Sequence, residues 1–423
     1  KFLQIDLQFK AINFLSVIVI MIETQMDERQ FESANSDVLM LKSKTYYIAF
    51  LITLPVFMGY ACCFALQRNL SLVFGLTEGV SGTKLSNTYG IGVSFVYFFN
   101  LIFRVFGHNI IFGCFSPRNR IICALVADII GMTLLSILSF QKTPPHVAWI
   151  FFTYSFVGVC EGTYGPNMLN ITSHLGDTRL YVILAMPAGV ATITILGFLL
   201  MALGVPFQFF YIATACAAFV AIIIYLFTIY PVAKSTESES DKFDLHQFWV
   251  DCTQIKEWFP KIWLHSIIFL VNMVCLAMFN PGCILYAYSS RVTFKLFKVT
   301  VSHDWFILIY NVFGFCGDFF SRRVMDKKRI ISPVFFFLLL CFAFGINISL
   351  IPEIAPVAAF LFNWSNGGLY CQSTKLISIL FEHQYHLTAT SVWLFIGDCG
   401  SVSGSSIIQY IRTAIDTMKS TMY

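Results

Sequence analysis

Apolar runs of about twenty residues recur along this chain, with polar residues gathered between them. A bilayer core is crossed by about 20 helical residues, and eleven runs reach or approach that length. The first six cover 46–66, 86–106, 121–140, 147–172, 180–203 and 207–229. A polar stretch, "PVAKSTESESDKFDLHQFWVDCTQIKEWFPK", then interrupts the pattern. The other five runs cover 262–288, 305–324, 330–351, 355–380 and 388–411. Membrane strands are about half as long and alternate in polarity, so these runs predict helices. The pattern divides the chain into an N-terminal cytoplasmic segment (1–45), a bundle of six spans (46–230), a cytoplasmic linker (231–261) and a bundle of five spans (262–423). Two bundles around a central path are the layout of transporters built from repeated halves.

Composition supports a membrane class. Of the 423 residues, 57% are hydrophobic and 12% charged, and the mean hydropathy is +0.74. Soluble domains carry roughly 25% charged residues, so a soluble fold would lack polar surface. The expectation is an all-α polytopic membrane protein. An odd span number puts the termini on opposite sides. With the N-terminus inside, 17 of the 27 Lys and Arg fall in cytoplasmic segments and eight in outer ones, which is the usual bias. The C-terminus is then outside, and the plasma membrane is the expected location. Residues 9–22 are apolar but short, and an acidic segment follows, so they read as an interfacial helix and not a signal peptide. The thirteen cysteines sit mostly in apolar runs such as "MGYACCFAL", where Cys acts as a small hydrophobe. Asn69 begins a glycosylation triplet on the expected outer side.

The informative residues are those that lipid disfavours. A charge at mid-membrane costs at least about 2.5–3.5 kcal/mol. Asp128, Glu161, Asp318, Arg322 and Asp398 fall inside runs, while Arg104 and Lys375 are placed to snorkel. In "WFILIYNVFGFCGDFFSRRVMDKKRI" the positions Asn311, Phe315, Asp318 and Arg322 share one helical face. Asp318 precedes Arg322 by four, the favoured order for an intrahelical pair. The pair is either a staple at the membrane edge or part of a lined cavity; Asn311 extends the polar stripe deeper and favours the cavity.

In "GVCEGTYGPNMLNIT", Glu161 lies among Gly158, Gly162 and Gly165, and Pro166 predicts a broken helix of the kind tolerated beside a cavity. Pro55, Pro187 and Asn280-Pro281 predict similar irregularities. "FNWSNGGLY" carries Asn363, Ser365 and Asn366. "FIGDCGSVSGSS" carries Asp398 among small residues, either a tight helix contact or a cavity wall.

Taken in order, these segments resemble the equilibrative nucleoside transporter family. "TLPVFMGY" is similar to its Leu-Pro segment in span 1, and "CEGTYG" to the Gln-Gly-Ser-x-x-Gly segment in span 4. "AMFNPG" resembles the Phe-Pro motif of span 7. "DFFSR" keeps the Asp-x-x-x-Arg spacing of span 8, and "FNWSNGG" resembles the Phe-Ser-Asn-Gly motif of span 10. The chain departs from the family at Val56-Phe57 (usually Trp-Asn), at Glu161 (usually Gln), at Ser321 (usually Gly), and at Asn311, which stands one turn further from Asp318 than the family Asn. A divergent member is implied.

The resemblance implies a major-facilitator-like arrangement of eleven helices. It implies that nucleosides or nucleobases, purines first, cross by alternating access, facilitative or proton-coupled. It places Glu161 near the base and Asp318 and Arg322 near the sugar or base. The candidate substrate-binding residues are Glu161, Asp318, Arg322, Asn311, Tyr60, Asn366 and Asp398. No cofactor, metal or nucleic acid is expected, and the expected assembly is a monomer in lipid. A major-facilitator carrier of another small polar solute, such as a sugar, is the alternative. A membrane enzyme would need a catalytic dyad or metal cluster, and no H-E-x-x-H run is present.

Overall fold

The computed structural model describes residues 39–75, 83–107, 110–172, 175, 178–231, 250, 253, 255–279, 293–296, 299–349, 351–381 and 383–422. The interfacial helix expected at 9–22, most of the linker, and Asn280-Pro281 lie outside them. Residues Tyr46–Tyr423 form one unit, and it is helical. In chain order the helices are α1 (Leu39–Ala65), α2 (Gln67–Val73), α3 (Thr83–Ile102), α4 (Pro117–Ser139), α5 (Ala148–Thr172), α6 (Thr178–Ala191), α7 (Phe198–Ala202), α8 (Gln208–Phe227) and α9 (Ile255–Met278). After them come α10 (His303–Asp326), α11 (Pro333–Ile348), α12 (Ala355–Leu380) and α13 (His383–Met422). Wide π-turns at Phe103–Gly107 and Thr192–Gly197 follow α3 and α6.

Local chemistry sets several boundaries. Pro117 and Pro333 open α4 and α11 behind Ser116 and Ser332; at that first turn a missing N–H costs nothing. Gly204, at φ +94°, turns the chain between α7 and α8, a conformation that side chains with Cβ resist.

The described residues of the predicted spans lie mainly on helices. Five of these are long and apolar enough to cross a membrane by themselves: Tyr46–Ala65, Pro117–Ser139, Thr178–Met201, Gln208–Phe227 and Ile255–Met278. Of the helices that fall short, α5 carries Glu161, α10 carries Asn311, Asp318 and Arg322, α12 carries Asn366 and α13 carries Asp398, whereas Asp128 lies on the apolar α4. The apolar helix α11 is only 16 residues long.

Two expectations are corrected, and one connection carries a hairpin. The helix does not break at Pro166: α5 runs unbroken through it, as α1 does through Pro55. A proline removes one ladder bond, and packed neighbours hold the rest of the helix. The connection before α10 is not only a loop, because Thr293–Leu296 (β1) and Val299–Ser302 (β2) pair antiparallel, with Thr293 opposite Ser302. Arg104 does not snorkel; its position is described below.

Within residues 46–231, α5 packs on α3 and α4, and α4 packs on α8. Within 255–422, α10 packs on α12, and α9 on α13. These sets are joined where α6 and its π-turn lie on α10, and where α3, its π-turn and α5 lie on α13. The largest apolar cluster runs through both, from Ile52 and Tyr164 to Phe269, Phe336 and Trp393. Outward positions stay greasy: Phe227, Leu203, Leu338 and Phe342 are more than 60% exposed. A patch-rich surface of this kind suits acyl chains and not water. The protein is a multi-pass membrane protein.

Candidate functional site

Charged and aromatic side chains meet where α3 and α13 cross. Asn100 and Arg104 stand four apart, so they share a face of α3 and its π-turn. Asp398 of α13 accepts from both: Arg104 Nε donates to Oδ2 at 2.8 Å and Asn100 Nδ2 to Oδ1 at 3.1 Å. Arg104 is only 4% exposed and Asp398 6%. Arg104 Nη1 also donates to the backbone carbonyl of Glu161 at 3.0 Å. The arginine therefore ties α3, α5 and α13 together.

Glycines make this approach possible. A Cβ at Gly158 or Gly162 would run into α3 at Val96, Phe99, Asn100 and Phe103, and one at Gly165 would meet Arg104 Nη1. The small residues around Glu161 are thus the seat of α3. Glu161 itself is half-buried, and its Oε2 has no hydrogen-bond partner among the described residues. Tyr60 and Tyr97, joined OH to OH at 3.3 Å, lie near enough to feel the charges of Glu161 and Asp398. Phe64 packs beside them with its ring tilted, 4.4 Å from the Tyr60 ring centroid.

The second group lies where α6 meets α10. Arg322 grips Asp318 with two bonds, Nε to Oδ1 at 2.8 Å and Nη2 to Oδ2 at 3.1 Å. Its Nη1 donates to Ile183 O on α6 at 3.1 Å, and its Cζ sits 4.6 Å from the centre of the Tyr370 ring. One guanidinium thus uses an ion pair, a backbone carbonyl and an aromatic face, a set of contacts that an ammonium cannot match. Gly367 leaves room for the Asp318 carboxylate, since a Cβ there would strike Oδ1 and Ser321 Oγ. Asn311 Nδ2 donates to Thr194 O at 3.4 Å. Asn366 is buried, and its Oδ1 lacks a partner among the described residues.

Of the predicted residues, the structure brings Tyr60, Glu161 and Asp398 to one locus, and Asn311, Asp318 and Arg322 to another. Tyr370 links the two, since it faces Arg322 and lies within electrostatic reach of Arg104, Glu161 and Asp398. Sequence reasoning missed Tyr97, Asn100, Arg104 and Tyr370. The spacing of three and four from Tyr97 to Asn100 to Arg104 was the available signal. Asp128 stands apart: it is fully buried against Gly59, and neither carboxyl oxygen has a partner among the described residues. Lys375 reaches the backbone carbonyl of Asp326 at 3.0 Å. A small cavity of about 20 Å³ lies elsewhere, lined by Arg179, His386, Asn170 and Thr374 among others. It holds one water at most and touches none of the predicted residues.

No family profile matches the sequence, and no curated protein matches it. Solved structures do match the fold. A peptide transporter, POT, in complex with alafosfalin superposes with a TM-score of 0.59 at 12% identity, over 87% of this chain and 88% of that one. The major-facilitator proton:xylose symporter XylE, bound to 6-bromo-6-deoxy-D-glucose, gives 0.60 at 13% identity over 89% and 90%. The human organic anion transporter MFSD10 gives 0.56 at 9% identity over 86% and 93%. At these identities the likeness is one of fold: the chain folds as major-facilitator transporters do.

Proposed function

We propose that the protein is a membrane transporter of nucleosides or nucleobases, purines first, working by alternating access. In this reading it is a divergent relative of the equilibrative nucleoside transporters, with eleven spans in bundles of six and five. The observation that carries the reading is the Arg104–Asp398–Asn100 cluster. A buried charge pair at the crossing of two helices from opposite halves can form when the halves close and part when they rock. Residues that only hold a bundle together are more cheaply apolar.

The chemistry at the site suits a flat base with hydroxyls attached. Tyr60, Tyr97 and Tyr370 offer ring faces. Glu161 offers hydrogen bonds to a base edge; when protonated it donates and accepts, and when ionised it only accepts. Asp318 accepts from a ribose hydroxyl, and Arg322 donates to one. Transport is facilitative or proton-coupled.

Uptake of radiolabelled adenosine into vesicles tests the substrate, with xylose as the comparison. Saturable adenosine uptake is expected. Xylose uptake without adenosine uptake would favour the alternative, a sugar carrier, which the likeness to a xylose symporter supports. Topology follows the same reading: a tag near Glu237 is expected inside and one at Tyr423 outside. Finding both on one side would defeat the odd span count.

A further inference from the structure

The polar stripe of α10 meets α6 at two points, and both acceptors are backbone carbonyls. Arg322 Nη1 donates to Ile183 O and Asn311 Nδ2 to Thr194 O. Carbonyls inside a helix are normally spent on the N–H four residues on. Ile183 is an exception, because the residue four ahead is Pro187, inside α6, and proline has no N–H to give. Thr194 lies in the π-turn Thr192–Gly197, where the regular ladder is interrupted. Arg322 and Asn311 therefore each meet α6 where its own bonding is irregular.

The spacing fits as well. Asn311 and Arg322 are eleven positions apart, and so are Ile183 and Thr194. Eleven residues make about three turns and about 16 Å of rise on either helix. The lower-numbered donor meets the higher-numbered acceptor, so the helices run antiparallel and both contacts can form together. We infer that Pro187 and the π-turn are positioning elements: Pro187 leaves Ile183 O without its usual N–H, and the π-turn re-aims Thr194 O, so that Arg322 and Asn311 clasp α6 and its π-turn in one register. The clasp also orients Arg322, since Nε and Nη2 stay on Asp318 while Nη1 is held by Ile183. Its consequence for transport rests on the alternating-access reading above, but the clasp itself is measured without substrate.

The test is a thermodynamic cycle on the purified protein in detergent. Pro187→Ala restores the N–H that Ile183 O lacks, and replacing a helix-interior proline ordinarily stabilises. With the clasp, that gain is offset in the wild type, because Arg322 loses its acceptor. In Asp318→Asn/Arg322→Leu, which removes the donor and leaves no lone charge, Pro187→Ala is expected to raise the melting temperature by about 2–4 °C. In the wild-type background it gives no rise. An equal shift in both backgrounds overturns the clasp. Asn311→Ala, which leaves the ion pair intact, supplies a second reading should the double variant fail to fold. Amide exchange over 190–197 is expected to speed up about threefold or more, and unchanged exchange overturns the contact at Thr194. Wild-type vesicles that fail to take up adenosine would sink the substrate reading and leave the cycle's outcome standing.

Discussion

Two ion pairs among the described residues, Asp318–Arg322 and Arg104–Asp398, are built in opposite ways. Asp318 and Arg322 lie one turn apart on α10. Arg104 and Asp398 come from α3's π-turn and α13, nearly three hundred positions apart in sequence. The first is assembled by a single helix and survives any motion of that helix. The second exists only while two helices are in contact. A local pair can be kept through a transport cycle, and a distant one can report the cycle's state. The contrast also sets how each tolerates damage, because Arg322 has other holds and Arg104 has fewer.

The largest expected effect is therefore at Asp398. Asp398→Ala strands the Arg104 guanidinium, with only the Glu161 carbonyl left to it. Removing one partner of a buried pair costs about 3–5 kcal/mol. Thermal midpoints and surface abundance should both drop. Arg104→Met/Asp398→Leu should recover most of the stability while uptake stays lost. A double variant that transports normally would show the pair to be packing alone.

At the local pair the expected losses are smaller. Asp318→Asn leaves Arg322 bonded to Ile183 O and over the Tyr370 ring, so a cost of about 2 kcal/mol is expected, below the range for a fully stranded charge. Arg322→Lys should impair uptake at normal surface abundance, since an ammonium lacks the fork that serves Asp318 and Ile183 together. Normal transport by both variants would reduce the pair to a staple.

Glycines sharpen the comparison one step further. A Cβ at Gly367 overlaps Asp318 and Ser321, whereas one at Gly345 meets nothing within 4 Å. Gly367→Ala should cost about 1–3 kcal/mol by overpacking. Gly345→Ala should stabilise α11 by about 0.5–1 kcal/mol. Melting curves of the two variants should move in opposite directions.

This difference also decides what was legible in the sequence. The Asp318–Arg322 pair was readable because helical periodicity alone puts the two on one face. The helical, membrane-spanning class was readable from apolar length, and five of the described helices meet that length and apolarity outright. Asp398's partner was not, because no local rule joins position 104 to position 398; only the packing of α3 on α13 does. Arg104 looked free to snorkel for the same reason: it sits near the end of an apolar run, and the π-turn that re-aims it has no sequence signature. Pro166 misled in the other direction. Proline predicts a break, but α5 lies between α3 and α4 and stays helical through the missing bond. The hairpin at 293–302 is a short alternating stretch, and a run of that length gives way to the longer apolar pattern around it.

The smallest expected effect is on stability and the most specific is on mechanism. Glu161 sits on the seat of α3, and its backbone carbonyl already serves Arg104. Its carboxyl is not part of that ion pair, and Oε2 has no partner among the described residues. Glu161→Gln preserves shape and should leave the melting temperature within about 1 °C, as substitutions away from a broken network do. What it removes is titration. In the parent, rising pH converts a group that donates and accepts into one that only accepts. If the proposed role holds, uptake of a neutral purine should therefore fall as pH rises from about 5.5 to 8. Glutamine keeps a donor at every pH, so Glu161→Gln should keep some uptake with a flat profile. The measurement is initial-rate purine uptake across that range, in both proteins at matched abundance. Identical profiles would make Glu161 a packing residue and remove the proton from the mechanism. A flat parent and a flat variant would take the proton out of the proposed mechanism and leave its test to the Arg104–Asp398 pair.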